Sequence, residues 1–154
     1  MRLSVGHNCM IRAAFYKATQ GNWLDWIISK WTKGPYSHVE LVIGDLWLSA
    51  SPREQVVRYK SIQPDPKTWN FVSLKLDAAQ AKKIQDWASL ELGCGYDWKG
   101  IFLTQFVNLN RQDPHRWFCS ELAVAALQQT GMLQGIVPHQ TDPNELYKVL
   151  TKET

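Results

Sequence analysis

The chain has 154 residues, 45% of them hydrophobic and 20% charged, and eight of them Trp. That length allows one domain with a true core and no disulfide or metal staples, and the composition excludes a disordered, collagen-like or coiled-coil chain. Seventeen basic against fourteen acidic side chains leave a net charge of +3, scattered and with no stripe for phosphates, so no nucleic-acid partner is expected.

Ile11 to Ala18 is apolar and aromatic and predicts a short buried strand. Gly21-Asn22 breaks it, and Asn22 is placed to cap a helix over Trp23–Trp31. Leu24, Ile27, Ile28 and Trp31 form that helix's apolar stripe, with Trp23 and Trp26 beside it, and Gly34-Pro35 ends it. His38–Ile43 and Leu46–Ser51 read as a hairpin around the two-residue turn Gly44-Asp45. A third strand is expected over Gln55–Lys60, and after the Pro64-Asp65-Pro66 turn a further strand over Trp69–Leu76. Asp77 with Gln80 marks a helix start, Ile84, Trp87, Ala88 and Leu92 its apolar face, and Gly93 and Gly95 its end.

Asp97–Phe106 predicts a short helix and Arg111–Arg116 a polar loop. Phe118–Thr130 predicts a helix of small residues stopped by Gly131, and Asp142-Pro143-Asn144-Glu145 opens the last helix. Strands followed by helices indicate a single α+β domain over 1–154, an antiparallel sheet packed against helices.

Cys9, Cys94 and Cys119 are odd in number and lack paired spacing. That argues against a disulfide framework and for a reducing compartment. No apolar run of about 18 residues marks a membrane span. The opening MRLSVGHNCMIR has neither the apolar stretch nor the cleavage site of a signal peptide, so a cytoplasmic location is expected. His7 and Cys9 have no partners at metal-ligand spacing, and neither a metal nor another cofactor is expected.

Two positions carry chemistry. Cys119 opens a helix in Trp117-Phe118-Cys119-Ser120-Glu121-Leu122. A thiol there meets unsatisfied N–H groups and the positive end of the dipole, which favour the nucleophilic thiolate. His38 sits on a strand in Tyr36-Ser37-His38-Val39-Glu40-Leu41 and is a candidate base. With Ile43 facing Leu46, His38 faces Ser51 and Glu40 faces Ser49, all on one side of the sheet. The third polar group that would orient His38 is then Glu40, Ser51 or Glu54, in that order. Glu121 reads first as a first-turn acid that complements the dipole.

Those segments resemble the circularly permuted papain-fold hydrolases, a branch of the NlpC-type cell-wall peptidase superfamily that includes the lecithin–retinol acyltransferase-like proteins. Three pieces match in order: Tyr36-Ser37-His38-Val39, then Gly95-Tyr96-Asp97, then Phe118-Cys119-Ser120-Glu121-Leu122. In ordinary papain-like enzymes the Cys helix precedes the His strand; in the permuted branch, as here, it follows. The stretch leading into Thr32-Lys33-Gly34-Pro35 is similar to phage and prophage members. The resemblance implies a cysteine peptidase or amidase with Cys119 as nucleophile and His38 as base, and a peptidoglycan stem peptide as substrate. It also implies substrate contacts from Tyr96, Tyr36, Trp117 and Ser120. Many members carry Gly at the Glu40 position and place the third polar residue on the next strand; that strand here offers Ser49 and Ser51.

Two other functions share the same residues. Acyl transfer or lipid deacylation would use Trp and Ile beside Lys30 and Lys33 to meet a membrane surface. A phage protein acting in the host cell or the virion could also use the cleft only to bind. Trp31, Trp47, Trp98 and Trp117 flank or follow the matching segments and read as cleft walls, Trp87 as core.

Overall fold

The computed structural model describes residues 10–18, 34–96 and 116–153, with Tyr96, Arg116, Trp117 and Glu153 described through their backbone. The expected helices over Trp23–Trp31 and Asp97–Phe106, and the expected loop up to His115, lie outside the described residues.

The described residues form an α+β fold. Its sheet runs β5-β1-β2-β3-β4-β6-β7 in space. The strands are β1 (Ile11–Lys17), β2 (Tyr36–Ile43), β3 (Leu46–Ser51), β4 (Val56–Lys60), β5 (Trp69–Leu74), β6 (Gly95–Tyr96) and β7 (Arg116–Trp117). All pairs are antiparallel except β6 with β7. Helices α1 (Ala78–Glu91), α2 (Cys119–Gln128) and α3 (Pro143–Glu153) complete it. Among the described residues no helix is long and apolar enough to cross a membrane.

The β2–β3 hairpin sets the register of the sheet. Gly44 takes φ +61°, the left-handed conformation that a two-residue turn needs to match strand twist. Ile43 then pairs with Leu46, Val42 with Trp47 and Leu41 with Leu48. Side chains alternate from there. Val39, Leu41 and Ile43 enter a core with Phe15, Leu48, Leu122, Leu127 and Leu146. Val42 turns the other way, into a second cluster with Trp47, Trp69 and Ala14. The Trp47 and Trp69 rings meet edge to face at 5.0 Å, a favoured aromatic geometry. In α2 every residue from Cys119 to Leu127 is buried. Its Ala123, Ala125 and Ala126 present small side chains, which lets the helix lie close on β2 and β3.

Both capping boxes form. The Asp77 carboxylate accepts the Gln80 N–H at 2.8 Å while the Gln80 side chain accepts the Asp77 N–H at 3.0 Å. Asp142 and Glu145 repeat the pattern at the start of α3. Three expectations are corrected. Gly95–Tyr96 and Arg116–Trp117 are strands rather than a helix stop and a loop end, because two residues carry no readable alternation. Leu92 is 44% exposed, since it caps α1 instead of lying on its apolar face. The strand that begins at Trp69 ends at Leu74, not Leu76.

The start of β2 is pinned from the far end of the chain. The Asn144 side chain accepts the Tyr36 N–H at 3.0 Å and donates to the Tyr36 carbonyl at 2.9 Å. A Cβ on Gly34 would fall on that Asn144 side chain, so the close approach requires glycine. Asn144→Ala strands two buried backbone groups and should destabilise the fold by about 2–4 kcal/mol. Urea unfolding checks it, and an unchanged midpoint would contradict the pin.

Candidate active site

His38 and Glu40 lie on one face of β2, as strand alternation requires. The Glu40 Oε1 is 3.0 Å from His38 Nε2, and Ser49 Oγ lies 3.3 Å from the same nitrogen while donating to the Val39 carbonyl. Arg58 reaches this face from β4, where it pairs with Ser49. Its Nη1 and Nη2 donate to Glu40 Oε2 and Oε1, both at 2.9 Å, a bidentate clamp. Glu40 is 2% exposed, so its charge depends on those donors.

The electrostatics follow from this geometry. Burial pushes the Glu40 carboxyl up, but hydrogen bonds from His38 and Arg58, and their charges, outweigh it and hold Glu40 down at about 2. Burial pushes the His38 imidazole down, and the Cys119 thiol and the Glu40 carboxylate outweigh it, raising His38 to about 10. Through the neutral range the pair is therefore an imidazolium facing a carboxylate.

Cys119 is the first residue of α2, and Phe118 before it supplies no side-chain cap. The first-turn N–H groups are thus not capped by that side chain. The thiol is 4% exposed, and its proximity helps raise the imidazole. His38 Nε2 is committed to Glu40 and Ser49, and Nδ1 is buried with no hydrogen-bond partner. Nδ1 is therefore the nitrogen left for the thiol.

The remaining expected site residues are placed as follows. Ser51 Oγ accepts the Glu54 N–H at 3.2 Å and makes no hydrogen bond to His38; the turn after β3 takes its hydroxyl. Glu54 pairs with Arg58 Nε at 2.6 Å and Lys60 at 2.9 Å, not with His38. Tyr36 is 5% exposed and packs against Phe15 and Tyr147, with its hydroxyl hydrogen-bonded to Asn70. Alternation counted back from His38 would put Tyr36 on the site face; a register shift opposite Tyr16 and Lys17 turns it into the core. Ser120 is fully buried, and its Oγ has no hydrogen-bond partner. Glu121 lies in the first turn of α2, where the sequence puts it, and is 2% exposed. Tyr96 and Trp117 pair through their backbones in β6 and β7. Trp47 belongs to the second-face cluster, and Trp87 packs partly buried against the main core.

Arg58 is the residue that strand reading did not single out. Its position beside Glu40 follows from the Ser49–Arg58 pairing, but the turn before β4 contains Gln55 at φ +60°, and no turn signature gives that register. A cavity of about 370 Å³ adjoins His38 and Glu40, with Tyr16, Trp69, Arg53 and Arg58 among its walls. No family model, curated protein or solved structure significantly matches the chain.

The two shifted groups give stability a pH window. His38, raised from 6.5 to about 10, contributes fully below pH 6.5 and loses its contribution as pH rises toward 10. Glu40, lowered from 4.5 to about 2, contributes above pH 4.5 and loses its contribution as pH falls toward 2. Denaturant unfolding across pH should show a plateau from 4.5 to 6.5. The alkaline decline should be largely absent in His38→Gln. An identical decline in that variant would contradict the assignment. Arg58→Met leaves Glu40 short of its clamp and should cost about 3–5 kcal/mol in the same measurement.

Proposed function

We propose that the protein is a thiol hydrolase that cleaves an amide bond through acyl transfer to Cys119. The observation that carries this reading is the buried His38 imidazole, held at Nε2 by Glu40 and acted on by the thiol at the first residue of α2. Nucleophile, base and orienting carboxylate are the parts such chemistry needs.

The Cys119 sulfur adds to the carbonyl carbon with its proton held on His38. The N–H groups at the start of α2, Cys119's own included, hold the developing oxyanion. Collapse breaks the C–N bond, and His38 returns the proton to the departing amine. Water then adds to the thioester, giving its proton to His38, and the sulfur leaves with the carboxylic acid as product. Glu40 keeps the ring oriented and stabilises its charged form; Arg58 keeps Glu40 ionised.

The ordered segments around His38, Tyr96 and Cys119 support placing this chain beside the circularly permuted papain-fold hydrolases, with the His strand ahead of the Cys helix. On that resemblance the substrate is a peptidoglycan stem peptide, such as a bond from γ-D-glutamate to a diamino acid, and the setting is a phage or prophage.

Cleavage of such peptides by the purified chain tests the reading. Cys119→Ala should abolish turnover with an unchanged circular dichroism spectrum, and His38→Ala should lower kcat/KM by about 10²–10⁴-fold. The alkaline limb of kcat/KM should fall near pH 10, where His38 loses its proton. Glu40→Gln should move that limb toward neutrality. Turnover retained in Cys119→Ala would overturn the proposal.

A further inference from the structure

The cavity beside His38 has a charge pattern that the cysteine–histidine chemistry does not use. Its walls carry three basic side chains, Arg53, Arg58 and Lys60, and two carboxylates, Glu40 and Glu54. Both carboxylates are already matched. Glu40 receives His38 and both Nη groups of Arg58. Glu54 receives Arg58 Nε and Lys60 Nζ. Arg53 stands on the wall with no acidic partner among the described residues. The cavity therefore has a cation to spare and no acceptor charge to spare, and His38 adds positive character beside it.

Two further lining residues, Trp69 and Tyr16, are aromatic. Trp69 is 8% exposed, and its ring lies 6.4 Å from the His38 ring; Tyr16 packs edge-on against Trp69 at 5.1 Å. A volume of about 370 Å³ is at the small end of ligand pockets, about 300–1,000 Å³. Cys119 is not among the lining residues, so this is a subsite beside the reacting pair, suited to a part of the ligand away from the bond that is cut.

We propose that this cavity is a subsite for a carboxylate-bearing side chain of the substrate, with Arg53 pairing the carboxylate and Trp69 and Tyr16 covering its aliphatic stem. An amine-bearing side chain would meet three cations and no free carboxylate, and is disfavoured. Glu54, bound between Arg58 and Lys60, shows that this wall accommodates a carboxylate. It also competes with an incoming one. The proposal rests on the hydrolase reading only for the word substrate; binding at the cavity is independent of turnover.

The test uses the full chain carrying Cys119→Ala, so that nothing is cleaved, and follows the Trp69 indole N–H by NMR. The probes are N-acetylglutamic acid α-amide, N-acetylglutamine amide and N-acetyllysine amide, which differ in charge at similar size. The acid should bind about threefold to fivefold more tightly than the neutral amide, the scale of a partly exposed ion pair, and the lysine amide should bind most weakly. Arg53→Gln should erase the preference, and Glu54→Gln should enlarge it by releasing Lys60 and Arg58 Nε. Equal binding of acid and amide, preference for the lysine amide, a preference that survives Arg53→Gln, or no perturbation by any probe would overturn the subsite. A chain with this ranking that cuts no amide keeps the subsite and loses only the hydrolase reading.

Discussion

Glu40 is an ionised carboxylate with almost no contact with water, and the site is organised around keeping it so. An isolated buried carboxylate would take up a proton rather than stay charged. Here Arg58 meets it with two parallel hydrogen bonds and His38 with a third. Charges alternate from Arg58 through Glu40 to His38, whose ring lies beside Cys119. Each is bearable only because its neighbours have the opposite sign. Such a chain is weak evidence for stability against an apolar substitute, since desolvation offsets much of the attraction. It fixes geometry and protonation state instead, which is what a general acid and base needs.

The fold delivers those four residues from three places in the chain: His38 and Glu40 from β2, Arg58 from β4 and Cys119 from α2. The hairpin turn at Gly44 sets β2 against β3, and β4 brings Arg58 level with Ser49. The small side chains of α2 let its first turn approach β2, and Asn144 on α3 holds the β2 backbone at Tyr36, just ahead of His38. The two faces of the sheet divide the work. One face builds the core with the helices, while the other carries Glu40 and Arg58 beside the Trp47 and Trp69 cluster. The aromatic excess thus has a definite place in part: Trp47 and Trp69 cluster next to the polar site, and Trp69 forms one wall of the cavity.

Local chemistry made much of this legible. The Gly44-Asp45 turn, the Asp77/Gln80 and Asp142/Glu145 boxes, and the period-two placement of Glu40 beside His38 all depend on residues a few positions apart. The start of the Cys119 helix was likewise legible from the run of small residues after Phe118. What escaped depends on long-range register. Arg58 comes to Glu40 only through a pairing set across an irregular turn. Tyr36 leaves the site face because of a bulge that alternation cannot foresee. Ser51 stands opposite His38 by simple counting, yet its hydroxyl is taken by the turn that follows it. Strands of two residues, such as β6 and β7, are specified by their neighbours rather than by themselves.

The site depends on the protonation state of one ring, and NMR of the His38 imidazole nitrogens measures it directly. With Cys119 and Glu40 acting on the ring as described, the resonances should report an imidazolium across neutral pH, with a midpoint near 10. Titration near 6.5, the ordinary value for histidine, would contradict an imidazolium held by Glu40 and Cys119.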